Sequence, residues 1–206
     1  MRRRDFNTVV GGAGPLFVHF TVGNAGLARS SNAIDRLSVP GPIEFNGESY
    51  RLSWSSHPTP YVYKQEYLPA GQTSEHFQRM VLIEAIVRNA NVNDALAAQI
   101  ETLKKRKSTD PTANYAVFKN AKGDEMVLDF ILSAHEPKGE DIVEWNAYRY
   151  APLRGNVGQS GVLLFGISRR AYGDNVEAFL RRLKSVRPSE VNALAKYALP
   201  VVRPKD

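Results

Sequence analysis

Ile43-Glu44-Phe45-Asn46-Gly47-Glu48-Ser49-Tyr50-Arg51-Leu52-Ser53-Trp54 is the stretch whose reading sets the fold class. Asn-Gly suits a two-residue turn between antiparallel strands, because both central residues there take positive φ. Tyr50, Leu52 and Trp54 share one face by the two-residue period of a strand. The stretch therefore reads as a hairpin, and a hairpin implies antiparallel pairing.

Working outward from it, His57-Pro58-Thr59-Pro60 breaks the pattern, and Tyr61 to Leu68 alternates again with Tyr61, Tyr63, Gln65 and Tyr67 on one side. Pro69-Ala70-Gly71 is a turn and Thr73 an N-cap candidate. Phe77, Met80, Val81, Ile83, Ile86 and Val87 then recur at helical spacing, which predicts a first helix. After a break at Asn91 to Asn93, Leu96, Ile100 and Leu103 predict a second. It ends on Lys104-Lys105-Arg106-Lys107, where cations suit the negative end of the helix dipole.

The second half is mainly strands. Tyr115 to Lys119, Met126 to Ser133, Ile142 to Tyr150 and Val162 to Arg169 each read as one. Asp174 and Glu177 resemble a capping box, and Val176, Phe179, Leu180, Leu183 and Val186 form the stripe of a helix from Asn175 to Arg187. Pro188 is expected to end it, with a short last helix over Ser189 to Tyr197. Strands and helices fall in blocks joined by short turns. The expected class is therefore α+β: a single antiparallel sheet of about six or seven strands packed by two to four helices.

The N-terminus carries a different kind of information. Arg2, Arg3 and Arg4 precede an apolar segment, Val9 to Val22, diluted by Gly11, Gly12 and Gly14 and interrupted by Pro15 and His19. Gly26-Leu27-Ala28 places small residues where a signal peptidase reads them, and Ser31-Asn32-Ala33 does so again. Arg3-Arg4-Asp5-Phe6 resembles the Arg-Arg-x-Phe core of the bacterial twin-arginine export signal. Asn7 stands where that pattern usually has an apolar residue, and Arg2 where it usually has serine or threonine. The resemblance implies export of the folded chain by the twin-arginine machinery, cleavage near Ala28, and a periplasmic or secreted location. Residues 1–28 are then the signal, 29–42 a flexible lead-in, 43–199 one domain and 200–206 a tail.

The formal charge is +6, and removing the three arginines and one aspartate of the signal leaves +4. So mild a charge does not indicate nucleic acid as a partner. The chain has no cysteine, which excludes disulfides, thiolate metal sites, iron–sulfur clusters and cysteine nucleophiles. No second apolar run approaches the length of a membrane span, so the mature protein is expected to be soluble.

Candidate sites are sparse. His57, His76 and His135 are far apart and form no paired metal motif, so neither metal nor cofactor is expected. Gly155-Asn156-Val157-Gly158-Gln159-Ser160-Gly161 offers converging amides and a serine, but lacks the phosphate-loop ending and the nucleophile-elbow spacing. Two aromatic strands with interleaved charges place Tyr63, Lys64, Trp145 and Arg149 as a stacking and charge-bearing surface for a small ligand. Because neighbours alternate, Tyr63 is expected to face helices and Lys64 the site. The preferred reading is an exported cell-envelope domain that binds a small ligand or an envelope protein, without chemistry of its own. Its rivals are a hydrolase assembled around Ser160 and a structural or assembly protein of the envelope.

Overall fold

The computed structural model describes residues 33–135, 139–153 and 160–205. The expected signal, with Arg3, Arg4, Phe6 and the cleavage position at Ala28, lies outside them. The elements in order are β1 (Ile43–Phe45), β2 (Glu48–Thr59), β3 (Val62–Leu68), β4 (Arg79–Ile86), α1 (Val92–Arg106), β5 (Asn114–Lys119), β6 (Met126–Ala134), β7 (Ile142–Pro152), β8 (Val162–Tyr172) and α2 (Asn175–Lys196).

All the strands join one antiparallel sheet, ordered β1-β2-β3-β4-β8-β7-β6-β5 and curled into a half-barrel. Two meanders, β1 to β4 and β5 to β8, meet along the β4–β8 ladder, where Met80 faces Ser168 and Ile86 faces Val162. The β1–β2 turn has Asn46 and Gly47 at φ of 49° and 77°.

This corrects the expected α+β class: the described residues are mostly sheet, eight strands in one curled sheet with only two helices, against the six or seven strands packed by two to four helices read from sequence. The stripe read as a first helix belongs to β4. Its run Met80-Val81-Leu82-Ile83-Glu84-Ala85-Ile86 is almost entirely buried or partly buried, because helices cover the sheet on both faces. A strand with no solvent face loses its alternation and reads as an unbroken apolar run, within which helical spacing can always be found.

Two other departures share a cause: proline sits where its missing N–H costs little. β2 continues through Pro58 because β1 covers only Glu48 to Tyr50, leaving the outer edge of β2 without a paired strand among the described residues. α2 continues through Pro188, an exposed position, so that the expected terminal helix is the second half of α2. The carbonyl deprived of its partner is that of exposed Lys184, within reach of solvent.

α2 packs on one face of the sheet over Tyr63, Val81, Ile83, Trp145, Phe165 and Ile167, into which it sends Leu183 and Leu194. α1 covers part of the other face, with Leu96 and Leu103 against Leu128, Phe130, Tyr148 and Leu164. Its N-cap is Asn91, whose side chain accepts from the Asp94 amide at 2.9 Å. Outside the span expected to fold, Leu37 and Val202 are buried, the Leu37 carbonyl accepts from Arg203 N at 2.8 Å, and Gln65 Oε1 accepts from Leu37 N at 3.0 Å.

Leu183 is buried in the sheet–helix core while its neighbour Arg182 is exposed. Leu183→Ala is therefore expected to cost about 2–5 kcal/mol, and Arg182→Ala less than about 0.5 kcal/mol. Urea unfolding of both variants measures this, and equal small effects would contradict the packing described.

Candidate functional site

The strand register brings together, on the α1 face, charged residues from four strands. Lys64 of β3 lies opposite Glu84 of β4, and Glu144 of β7 opposite Arg170 of β8. Glu66 lies opposite Leu82, and Ser168 opposite Asn146. α1 adds Gln99, and the loop before β4 adds Phe77. All of these except Arg170 and Asn146 line a cavity of about 50 Å³, together with Met80, Tyr148 and Leu164.

The four charged residues of the two facing pairs are unusually deep: Lys64 is 7%, Glu84 5%, Glu144 3% and Arg170 3% exposed. Lys64 Nζ sits 2.7 Å from Glu84 Oε2. Arg170 Nε donates to Glu144 Oε2 at 2.6 Å, and its guanidinium carbon lies 4.0 Å from the Phe77 ring centroid. Such pairs recover by mutual attraction roughly what their desolvation costs, so stability alone is a weak reason for them. Ser168 Oγ and Tyr148 OH both donate to Asn146 Oδ1.

Close packing over β8 brings two of the lining side chains, Leu82 and Tyr148, together. Gly166 of β8 lies between Leu82 and Tyr148 in register. A Cβ there would come within 2.7 Å of Tyr148 Cδ1 and 3.0 Å of Leu82 Cγ. The missing side chain lets the tyrosine ring lie across β8.

Several buried polar atoms in this region have no protein partner among the described residues: Glu84 Oε1, Gln99 Nε2, Asn146 Nδ2 and Tyr150 OH. Leaving such an atom unmatched costs about 1–3 kcal/mol. Two of them, Glu84 Oε1 and Gln99 Nε2, belong to residues that line the cavity. Glu66, partly buried at the same cavity, is pushed up to about 7 chiefly by desolvation. A hydrogen bond from Ser74 and the charges of Arg170 and Lys64 act against that rise, and the Glu144 carboxylate adds to it. Burial also holds the Tyr148 and Tyr150 hydroxyls protonated, far above the ordinary tyrosine range.

The four residues expected as a site are divided between the faces. Lys64 lines the cavity. Tyr63 points to the α2 face, stacked on His57 at 4.0 Å between centroids. Trp145, fully buried on that same face, donates Nε1 to Asp129 Oδ1 at 2.6 Å, and Arg187 Nε of α2 donates to Asp129 Oδ2 at 2.6 Å. Arg149 donates to Glu125 Oε2 at 2.8 Å and, through Nη1, to the Leu194 and Tyr197 carbonyls at 3.2 and 2.7 Å. It thereby caps the C-terminal end of α2. The structure thus separates Lys64 from the other three.

Sequence reasoning passed over Glu66, Glu84, Gln99, Glu144, Ser168 and Arg170. The available signal was a carboxylate inside an apolar strand, Glu84 within Val81 to Ile86 and Glu144 within Ile142 to Ala147. Ser160 donates to Asn89 Oδ1 at 3.0 Å, and the preceding part of its glycine-rich loop lies outside the described residues. His76 stacks on Tyr172, and His135 pairs with Asp141. Among the described residues no three histidine, aspartate or glutamate side chains are grouped to hold a metal ion, and no helix is long and apolar enough to cross a membrane.

Glu66 makes stability depend on pH. Its carboxyl in the folded chain titrates near 7 against an ordinary value of 4.5. The stability it contributes is therefore complete below the unfolded value and is lost as pH rises through about 7. Glu66→Gln should leave stability near pH 5 little changed and raise it at pH 8, by about 1–3 kcal/mol. Denaturant melts at the two pH values test this, and a difference independent of pH would refute it.

No curated protein and no solved structure matches this chain. A family model does, over residues 37–199, which run from the buried Leu37 through the sheet and both helices to just beyond α2. The stretch takes in every side chain of the cavity, and the chain belongs to that family, one of unknown function.

Proposed function

We propose that this protein is an exported binding domain of the bacterial cell envelope, which takes part of a small polar molecule into the cavity between α1 and the sheet. The observation that carries this reading is a pair of buried polar atoms without protein partners among the described residues, Glu84 Oε1 and Gln99 Nε2, on residues that line one cavity among buried charges. A protein interior tolerates such atoms at a cost of about 1–3 kcal/mol each, which a ligand supplying the missing hydrogen bonds offsets. Perturbed titration and buried charge in a cleft are features of functional sites more than of structural ones. Lys64 belongs to the binding set; Tyr63, Trp145 and Arg149 serve the packing of the opposite face.

Export is supported by Arg3-Arg4-Asp5-Phe6 ahead of a glycine-diluted apolar segment and a small-x-Ala site at Ala28. The twin-arginine route carries folded cargo, which suits a domain whose interior polar groups must be matched before it meets solvent on the far side.

A thermal-shift screen of small polar metabolites against the purified chain tests the binding reading. At least one compound should raise the midpoint of the wild type, since binding the folded state alone stabilises it by mass action. The shift should be lost in Ser168→Val combined with Gln99→Leu, which replaces two polar walls of the cavity by apolar ones. A broad screen without any shift, or a shift that survives the double variant, would refute the site. Export is tested separately by changing Arg3 and Arg4 to lysine and fractionating a bacterial host. Precursor should accumulate inside the cell; unchanged appearance of shortened protein outside the inner membrane would refute the twin-arginine route.

A further inference from the structure

At the cavity three carboxylates meet two cations. Lys64 is paired with Glu84 through Oε2, and Arg170 with Glu144. Glu66 is the third carboxylate, and its hydrogen bond comes from the neutral Ser74 hydroxyl. Glu84 Oε1, the second oxygen of a residue 5% exposed, lines the same cavity without a protein partner among the described residues. Once Glu66 is ionised, above about pH 7, the charge excess is negative, and a buried acceptor accompanies it. From α1, Gln99, 1% exposed, presents Nε2 as an unmatched donor. The cavity of about 50 Å³ has room for about three to five non-hydrogen atoms, at 10–15 Å³ for each water-sized probe.

An anionic ligand would face that excess of carboxylates while both cations are already engaged. A neutral polyol would satisfy the donors and acceptors but leave Glu66 without a counter-charge. A multivalent metal has no grouped ligand set here among the described residues. What remains is a compact cation with its own acceptor close by. We propose that the cavity, read above as a ligand site, takes the primary ammonium group of a small amine bearing a hydroxyl or carbonyl oxygen on the adjacent carbon. The nitrogen donates to Glu84 Oε1 and Glu66, and the oxygen accepts from Gln99 Nε2. The aromatic wall of Phe77 and Tyr148 suits the methylene carbons between them.

The inference rests on the proposed binding function but makes its own demand on charge. Glu66 must be ionised for the cation to gain fully from it, so affinity should rise from pH 6 to pH 8, while a simple amine stays protonated. The other ionisable groups around Glu66 are Lys64 on its own strand, Glu84 on β4, Glu144 and Tyr148 on β7 and Arg170 on β8; α1 supplies the neutral Gln99.

The test is an NMR titration of the full-length chain at pH 8 with three probes of matched size: ethanolamine, ethylene glycol and glycolate. Ethanolamine should bind at least about tenfold more tightly than ethylene glycol, and glycolate least of all. Glu84→Gln and Glu66→Gln should each weaken ethanolamine about tenfold; Glu66, being partly exposed, keeps the test valid if the Glu84 variant does not fold. Co-sedimentation with phosphatidylethanolamine or phosphatidylglycerol vesicles separates two sources of the same head group. Binding to the former alone identifies a lipid, and ethanolamine binding without vesicle binding identifies a free amine. Ethylene glycol or glycolate binding as tightly as ethanolamine would overturn the ammonium inference while leaving the cavity a ligand site. So would a screen that yields ligands, none of them an amine. A screen that yields no ligand would overturn the binding function itself, and this inference with it.

Discussion

Lys64 and Glu84 face each other at 2.7 Å across β3 and β4 in a sheet with no fully solvated face. Covering both faces with helices removes the usual outlet by which a strand sends its polar side chains to water. Each polar group on the inner strands then either finds its partner within the protein or is held there at a cost. The same requirement explains Glu144 with Arg170 and Asn146 with Ser168 on the α1 face. It also explains Asp129 on the α2 face, which accepts from Trp145 and from Arg187. The two faces meet the requirement differently. Contacts to α2 tie Arg169 to Glu190 and Arg149 to the helix end, whereas on the α1 face Glu84 Oε1 and Gln99 Nε2 belong to residues that line a cavity.

That asymmetry separates a packed face from one that carries a cavity. On the α2 face apolar side chains interdigitate and the ionic contacts fix where the helix lies along the sheet. On the α1 face the helix covers β6 and β7 but leaves β3 and β4 less shielded. Gly166 leaves room for the Tyr148 ring and Leu82 to pack closely over β8. Rigid neighbours hold the charges in place, so a ligand would find them already oriented.

Local signals made the hairpin at Asn46-Gly47 and the start of α1 at Asn91 to Asn93 legible, because a turn and a cap are set by adjacent residues. β4 was not legible, since burial on both faces erased its period, and α2 beyond Pro188 was hidden by a rule that holds less firmly where the affected carbonyl is exposed. Lys64 could be singled out as a cation among aromatics. Its partner could not, because the pairing of β3 with β4 followed only once Arg79 to Ile86 was a strand. Arg149 misled for a simple geometric reason: beside Tyr148 in sequence, it is on the opposite face in the sheet.

The meeting of two meanders along β4 and β8 also has a kinetic meaning. Within each meander every strand pairs with its neighbour in sequence, so both can form by short loop closures. The β4–β8 ladder joins residues far apart in the chain and bears the largest entropy of closure. Glu84 comes from one meander, Glu144 and Ser168 from the other, and Gln99 from the helix between them. The cavity is consequently among the last features to exist as the chain folds. A pathway that exports only completed protein would carry the site across in finished form.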